Sequence, residues 1–222
     1  MEIDKKKFLY KKMSFKPGFD QKFDYYFDRC SEAILFGSFA MERDTKDSDV
    51  DILFVSDEKS YKDNDIDFIC IPPEKLKLKS WLGSELANHI SKYGIWLKGA
   101  GGWKQSVFVS KNATDRKKIK ILSRLSHIWV TERNAEYELL FLLFLEVILD
   151  CYRLVLLEKD GAVPATAIIN DIYKGDTENI LEKMSADKYL GPIFDAYIMT
   201  LFPNLKSLDV NEMIRSSLKE RK

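Results

Sequence analysis

Cysteine and histidine are scarce in this sequence, and neither type is spaced to hold a disulfide framework or a zinc ion. The 222 residues include three cysteines, Cys30, Cys70 and Cys151, and two histidines, His89 and His127. The cysteine number is odd, the positions lie far apart, and none belongs to a Cys-x-x-Cys pair. We therefore expect reduced thiols in a cytoplasmic protein, and structural roles for both histidines. The polar N-terminal residues also predict that there is no signal peptide.

The sequence has no excess of charge of either sign. It contains 35 Lys and Arg residues against 35 Asp and Glu residues, a formal net charge of +0. A protein dedicated to nucleic acid normally carries a basic excess that neutralises phosphates. The balance argues against a large nucleic-acid footprint, although it leaves a local basic patch open. With 45% hydrophobic and 32% charged residues, the composition is that of a soluble globular protein.

The most apolar segment is interrupted by charges, which argues against a membrane span. Residues 139–157 are long enough to cross a bilayer, but they contain Glu146, Asp150 and Arg153. Spacings of four and three place these residues on one stripe of a helix. Each charge at the centre of a span costs about 2.5–3.5 kcal/mol to insert. The segment therefore predicts a buried helix with one polar face, and no membrane partner is expected.

Short apolar segments and turn residues predict a small mixed sheet in the first half of the chain. Helical spacing of aromatic residues predicts a helix at 19–30, and Pro72 and Pro73 lead into a helix from about 74 to 92. Four segments bounded by turn residues are typical of buried strands: 32–36, 50–55, 66–71 and 95–98.

A glycine-rich stretch marks the predicted domain boundary. Gly99, Gly101 and Gly102 follow the last predicted strand, and helical patterns alone follow them. We divide the chain into a catalytic domain at 1–105 and a helical domain at 106–222. The fold class expected is α+β, with the sheet followed by a C-terminal helical bundle. The predicted helices of that bundle are 113–131, 134–158, 164–173, 176–185, 187–201 and 208–220.

The chemistry-bearing motif is an Asp-x-Asp pair that opens a strand. Side chains two positions apart on a strand project from the same face, so Asp49 and Asp51 present two carboxylates side by side. Like charges at this distance repel one another, and a divalent cation removes that penalty. Hard oxygen ligands suit Mg²⁺ or Mn²⁺. Asp67, which opens the next apolar strand, is the candidate third ligand of a two-metal site, with Asp65 as the alternative.

A Gly-Ser pair follows the first predicted strand. Gly37 allows the backbone to turn sharply and to approach a ligand closely. Ser38 offers a hydroxyl group and a backbone N–H to a phosphate oxygen, and a short helix beginning there adds further amides. The pattern predicts a triphosphate-binding loop beside a metal-binding strand.

Taken together, these segments resemble the signature of the DNA polymerase β-like nucleotidyltransferase superfamily. Gly37-Ser38-Phe39-Ala40 followed by Ser48-Asp49-Val50-Asp51 matches its Gly-Ser-x-Ala and Ser-Asp-x-Asp elements. The chain looks most similar to bacterial stand-alone members, which include aminoglycoside and lincosamide nucleotidyltransferases. The resemblance covers about 32–100 and implies a nucleotidyltransferase palm.

The resemblance implies roles for individual residues. Three aspartates are expected to bind metal and carry catalysis: Asp49, Asp51 and Asp67. The nucleotide phosphates are expected to contact the glycine loop and the residues around it: Gly37, Ser38, Arg43 and Ser48. The sequence departs from the pattern at Glu42, where the family often has Gly or Arg. Phosphate binding through Arg43 is one way in which the loop would compensate.

Candidates outside the motif are open to two interpretations. Glu146 or Asp150 is either a group facing the substrate cleft, with Glu146 as a candidate general base, or part of a salt-bridge stripe with Arg153. Lys98 ends a predicted strand near the motif and is a candidate contact for the triphosphate. The run 116–120 carries four basic residues, and a solvated helix face is its simpler interpretation.

The function expected is transfer of a nucleoside monophosphate from a nucleoside triphosphate, ATP in the first instance, to an acceptor hydroxyl. Mg²⁺ or Mn²⁺ is the expected cofactor. A small-molecule acceptor such as an aminoglycoside is expected before tRNA or protein, because the chain is neutral. The alternatives are transfer to tRNA or protein, as in toxin–antitoxin systems, or an inactive module that binds nucleotide or a partner. The sequence does not predict an oligomeric state.

Overall fold

The computed structural model describes residues 9, 10, 13, 18–133 and 137–185. The described chain divides into two compact units, with the division at Val109 and Ser110. The first unit also takes in Gly161–Ile168, and the second resumes at Ile169. The expected boundary at 105/106 thus has a counterpart four residues later, whereas the return of Gly161–Ile168 was not predicted. The two helices expected at 187–201 and 208–220 lie outside the described residues.

The first unit is built on one five-stranded sheet with the order β3-β4-β2-β1-β5. Strand β1 is antiparallel to both of its neighbours, whereas β2 and β4 are parallel. The two-residue strand β3 lies at the edge, antiparallel to β4, and was not predicted. The other four strands have the predicted bounds. The strands are β1 Glu32–Phe36, β2 Val50–Val55, β3 Tyr61–Lys62, β4 Ile66–Ile71 and β5 Ile95–Lys98.

Alternating side chains give the sheet an apolar core on each face. On one face, Phe54 and Phe68 pack with the aromatic residues of helix α1 (Phe19–Arg29), including Phe23. On the other face, Ile34 and Leu53 pack against the inner side of the helical segment that follows β4. Because both faces are covered, the central strands are apolar along almost their whole length, which explains why their bounds were predictable.

The helical segment after β4 is broken, and the single helix expected at 74–92 is wrong in this respect. It consists of a 3₁₀ turn at Pro73–Lys77, a short helix α3 at Lys79–Leu82 and helix α4 at Glu85–Tyr93. The break follows from Ser84, whose extended backbone and hydroxyl group, accepting the N–H of Ala87, start α4 afresh. The expected inner face survives, since its leucine and isoleucine side chains still pack on the sheet.

The second unit is helical where the structure describes it. Helix α5 (Lys111–Arg133) packs against helix α6 (Tyr137–Asp160). Helix α7 (Thr166–Ser185), which has a kink at Tyr173, belongs to this unit from Ile169 onwards. A four-residue helix, α2, belongs to the first unit and lies between β1 and β2 at Gly37–Ala40. Within the described ranges, no helix combines the length and apolar character needed to cross a membrane.

The three cysteines are free thiols, as the sequence predicts. Cys30 and Cys151 are buried, and Cys70 is half-buried. Burial raises the pKa of the Cys30 thiol to about 11 and raises the pKa of Cys151 still further. Both buried thiols are therefore protonated and pack as small apolar side chains.

Candidate active site

The central feature of the site is a pair of aspartates in register on neighbouring parallel strands. Asp51 of β2 pairs with Asp67 of β4, one residue into each strand. Residues two apart on a strand share a face, so Asp51 lies on the same side of the sheet as Leu53. Asp49 precedes β2 by one residue and follows the same alternation. Asp67 lies within β4 beside Asp51, whereas the alternative Asp65 precedes β4 and its backbone carbonyl accepts the N–H of Val50.

Burial and mutual repulsion alter the acidity of Asp51. Desolvation, followed by the nearby charges of Asp49 and Asp67, raises the pKa of Asp51 to about 7. The positive charge of Lys62 opposes this effect only in part. The raised pKa reports a concentration of negative charge that the protein alone does not neutralise, and a bound cation relieves such a charge.

Gly37 lies directly against the Asp51 carboxylate. Its backbone has a φ of 70°, which L side chains rarely adopt, and a β-carbon added there would lie 2.1 Å from Oδ2 of Asp51. Both the backbone conformation and the space therefore require glycine. The glycine of the motif lets the turn after β1 close onto the carboxylate that opens β2.

His89 holds this turn, a role that the sequence does not predict. The Gly37 N–H donates to Nε2 of His89 at 3.3 Å, and Nδ1 of His89 lies 2.6 Å from the carbonyl oxygen of Val163. These partners require the neutral tautomer with the proton on Nδ1. Burial lowers the pKa of His89, which also favours the neutral ring. A single histidine without a motif gives no sequence signal for such a contact.

The other residues of the expected phosphate loop stabilise its turns through backbone and side-chain hydrogen bonds. The Ser38 carbonyl accepts the N–H of Met41 at 3.2 Å and that of Arg43 at 3.0 Å, which closes the turn after α2. The Ser48 hydroxyl accepts the N–H of Thr45 at 2.9 Å and so orders the approach to Asp49. Arg43 is exposed. Ser48 therefore acts in this structure as a turn-forming residue.

Glu42 adopts a backbone conformation suited to glycine. Its φ is 55°, the one positive value at a non-glycine position among the described residues. This is the position where the sequence departs from the family pattern. The loop therefore keeps the glycine-like conformation although the glycine itself is absent, and we expect a cost of about 1–2 kcal/mol for an L residue there.

Replacing Glu42 by Gly is expected to stabilise the protein by about 0.5–1 kcal/mol. Relief of the left-handed strain exceeds the extra entropy that glycine gains in the unfolded chain. Urea unfolding of the wild type and of Glu42→Gly measures the difference. Glu42→Ala removes the same exposed side chain without relieving the backbone, so equal stabilisation by alanine would contradict this explanation.

Lys62 is a second residue of the site that the sequence does not predict. It lies on β3 opposite Asp67, and its ammonium group donates to Oδ2 of Asp67 in an ion pair. Its side chain is 67% exposed, whereas that of Asp67 is 20% exposed. A two-residue strand in a polar stretch gives no apolar alternation, so the sequence offered no signal that placed this lysine beside Asp67.

Lys98 does not lie at this end of the sheet. It pairs with Ala33 near the start of β1, whereas Asp51 pairs with Phe36 at the end of β1. Its ammonium group donates to the Phe27 carbonyl at 2.8 Å. This placement does not support the expected contact of Lys98 with the triphosphate, because β5 runs antiparallel to β1 and carries its last residue away from the carboxylates.

In the second unit, the acidic stripe of α6 is neutralised by basic residues. Asp150 is fully buried and pairs with Lys120, Arg124 and Arg153, so the salt-bridge interpretation is the correct one for this residue. Glu146 is exposed and pairs with Arg124 at 2.7 Å. Glu146 also lines a cavity of about 200 Å³ with Tyr152, Asn170 and Tyr173, among others.

The carboxylates of the first unit fit a divalent cation by their chemistry. Among the residues that the structure describes, no three His, Cys, Asp or Glu side chains converge on one metal position. Asp51 and Asp67 nevertheless supply two hard oxygen ligands on adjacent strands, and Lys62 already pairs a positive charge with one of them. Mg²⁺ needs no more than one or two carboxylates when substrate phosphates and water complete its shell.

Without metal, the protein is expected to lose stability as the pH rises towards neutrality. The pKa of Asp51 is about 7 in the folded state against 3.8 as the ordinary value, so the folded state binds more protons between these limits. The free energy of unfolding therefore falls as pH rises through this window, by roughly 2 kcal/mol after allowance for partial exposure.

This slope is measured by urea unfolding in a chelator at about pH 5 and about pH 8. The difference between wild type and Asp51→Asn isolates Asp51 from the opposing contribution of His89, whose lowered pKa favours the folded state at higher pH. We expect Mg²⁺ to reduce the slope, because it neutralises Asp51, Asp49 and Asp67 together. Equal profiles for the two proteins would contradict the assignment.

The chain belongs to the nucleotidyltransferase-domain family. The model of that family matches residues 15–146, more than half of the chain. The match confirms membership of the DNA polymerase β-like nucleotidyltransferase superfamily, and the general activity that it supports is nucleotidyl transfer.

One solved structure similar to this chain is a nucleotidyltransferase-like protein from Exiguobacterium sibiricum 255-15. It is 15% identical in sequence, with a TM-score of 0.46, and the match covers 97% of this chain and 79% of that chain. No curated protein matches the sequence. The expected α+β class, with a mixed sheet followed by C-terminal helices, is confirmed.

Proposed function

We propose that the protein transfers a nucleoside monophosphate from a nucleoside triphosphate, with ATP as the expected donor, to an acceptor hydroxyl group. Pyrophosphate is the second product. The observation that carries this proposal is the in-register pair of Asp51 and Asp67 beside the Gly37 turn. This arrangement sets paired carboxylates next to a glycine turn, within a chain of the nucleotidyltransferase-domain family.

The aspartates and the glycine loop have distinct tasks in the proposed reaction. Asp51 and Asp67, with Asp49, would hold Mg²⁺ or Mn²⁺. When bound, such a cation neutralises phosphate charge and makes the acceptor hydroxyl more acidic. Asp67 is the preferred candidate for accepting the hydroxyl proton. Glu146 is the alternative candidate, and it pairs with Arg124 in this structure.

The glycine loop would bind the triphosphate mainly through its shape and through Ser38. The N–H of Gly37 is engaged by His89, so the contribution of Gly37 is its lack of a side chain. The backbone N–H and hydroxyl of Ser38 are proposed to donate to phosphate oxygens. Arg43 is exposed at the end of the same turn and is proposed as a further phosphate contact.

We propose a small-molecule acceptor, bound by the helical part of the chain at about 106–222. The neutral net charge supports this choice over tRNA, because tRNA binding draws on a basic surface. The cavity lined by Glu146, Tyr152 and Tyr173 supports it as well, since a largely apolar and aromatic lining with a few polar groups suits a small organic molecule. An aminoglycoside is one molecule of this chemical class.

The proposal is tested by incubating the purified protein with Mg²⁺ or Mn²⁺, each α-labelled nucleoside triphosphate and a bacterial lysate as the source of acceptor. The double variant Asp49→Ala with Asp51→Ala is run alongside. Transfer of label to a small molecule by the wild type alone supports the proposal. Label on RNA or protein would overturn the small-molecule acceptor. Nucleotide binding without any transfer would favour the inactive module instead.

A further inference from the structure

The side chain of Lys62 lies beside the candidate metal site, and the fold does not depend on its contact there. Its side chain extends from the edge strand β3 and pairs with Asp67, yet most of that side chain is exposed. Exposed ion pairs contribute little to stability. Breaking the ion pair between Lys62 and Asp67 therefore costs little free energy. The main effect of the pair is on the charge of the Asp67 carboxylate.

Charge explains why a lysine is found at this position. Asp49, Asp51 and Asp67 bring three negative charges to one end of the sheet, and the field of Lys62 reaches all of them. In the absence of metal, the Lys62 ammonium group neutralises part of this negative charge. When a divalent cation enters, the same ammonium group both repels it and competes with it for the Asp67 oxygen.

We propose that Lys62 is a positioning residue that competes with the divalent cation for Asp67 and so sets the metal affinity of the site. This inference rests on the proposed function, because it assumes that Asp67 is a metal ligand. Metal uptake requires Lys62 to leave Asp67, and the affinity of the wild-type site is lower than its three carboxylates alone would give.

The competition predicts a direct effect on metal binding. A unit charge a few ångströms from a divalent ion weakens binding by roughly tenfold even in a water-like dielectric. Lys62→Gln removes this charge and keeps a polar side chain of similar length. We therefore expect Lys62→Gln to bind Mn²⁺ about tenfold more tightly than the wild type, and Lys62→Arg, which keeps the charge, to bind with an affinity close to that of the wild type.

The experiment is titration of the full-length protein with Mn²⁺ in the absence of nucleotide, followed by calorimetry and by the loss of the free-ion paramagnetic resonance signal. Lys59→Gln is the matched control. Lys59 is an exposed lysine three residues earlier whose backbone carbonyl, not its charge, contacts Tyr26. Lys59→Gln removes one positive charge at a position away from Asp67, and the Mn²⁺ affinity of this variant is expected to equal that of the wild type.

The outcomes separate this inference from the proposed function. Tighter Mn²⁺ binding by Lys62→Gln, with no change in Lys59→Gln, supports the competition. If the wild type and Lys62→Gln bind Mn²⁺ equally tightly and Asp51→Asn does not bind it, the competition is overturned and the metal site stands. Failure of the wild type to bind Mn²⁺ more tightly than Asp51→Asn would overturn the metal site itself.

Discussion

Replacing Asp51 by Asn is expected to reduce nucleotidyl transfer by at least about a thousandfold. Asparagine keeps the shape of the side chain but removes the charge that would hold the cation between β2 and β4. Losing a metal's stabilisation of the transition state costs several kcal/mol, and about 4 kcal/mol corresponds to this factor. The rate of label transfer from an α-labelled triphosphate measures the effect, with wild-type protein as the reference.

The same variant is expected to fold at least as stably as the wild type when metal is absent. Asp51 is a half-buried carboxylate with a raised pKa, so removing its charge relieves desolvation and repulsion. The control is Asp57→Asn, an exposed aspartate just after the other end of β2, which is expected to leave transfer unchanged. A stable Asp51→Asn protein with wild-type activity would refute the role of Asp51.

Replacing Gly37 by Ala is expected to destabilise the protein by about 2–5 kcal/mol and to lower transfer by roughly a hundredfold. The added β-carbon would lie 2.1 Å from the Asp51 carboxylate, on a backbone whose φ of 70° is already unfavourable for alanine. Left-handed strain contributes about 1–2 kcal/mol and overpacking about 1–3 kcal/mol. Because Asp51 must move away from the added carbon, its carboxylate is also displaced from its position in the site. A shift of about 1 Å is sufficient to lower the transfer rate by this factor.

Two glycines elsewhere in the chain separate these contributions. Gly18 has a φ of 72° with nothing near its missing side chain, so Gly18→Ala carries the backbone strain alone. Gly102 has neither the positive φ nor a neighbour, and Gly102→Ala is expected to be close to neutral. Thermal unfolding orders the three variants. An effect of Gly37→Ala no larger than that of Gly18→Ala would contradict the close approach to Asp51.

The sheet was predictable because four of its strands are apolar on both faces. The segments at 50–55 and 66–71 are buried or half-buried at every position, and turn residues mark their limits. The helix after β4 was predictable in its inner face but not in its continuity. The pair Gly83-Ser84 carried the signal for the break, since glycine often follows a helix end and serine often precedes a helix start.

The candidate site was predictable where its residues share a local motif. Gly37, Asp49 and Asp51 are linked by spacing along the chain, and Asp67 by its place at the start of the adjacent strand. Lys62 and His89 reach the site through tertiary pairing that spacing does not encode. The position of Lys98 was not predictable for the same reason, because the end of the sheet at which it lies depends on the direction of β5.

The most direct measurement of the central claim is anomalous scattering from crystals of the protein grown with Mn²⁺ and a non-hydrolysable nucleoside triphosphate. We expect an anomalous peak between the carboxylates of Asp51 and Asp67, with the triphosphate against the Gly37-Ser38 turn and Lys62 released from Asp67. Bound nucleotide with Mn²⁺ held elsewhere, and no cation at either aspartate, would contradict the assignment of these carboxylates as the catalytic metal site.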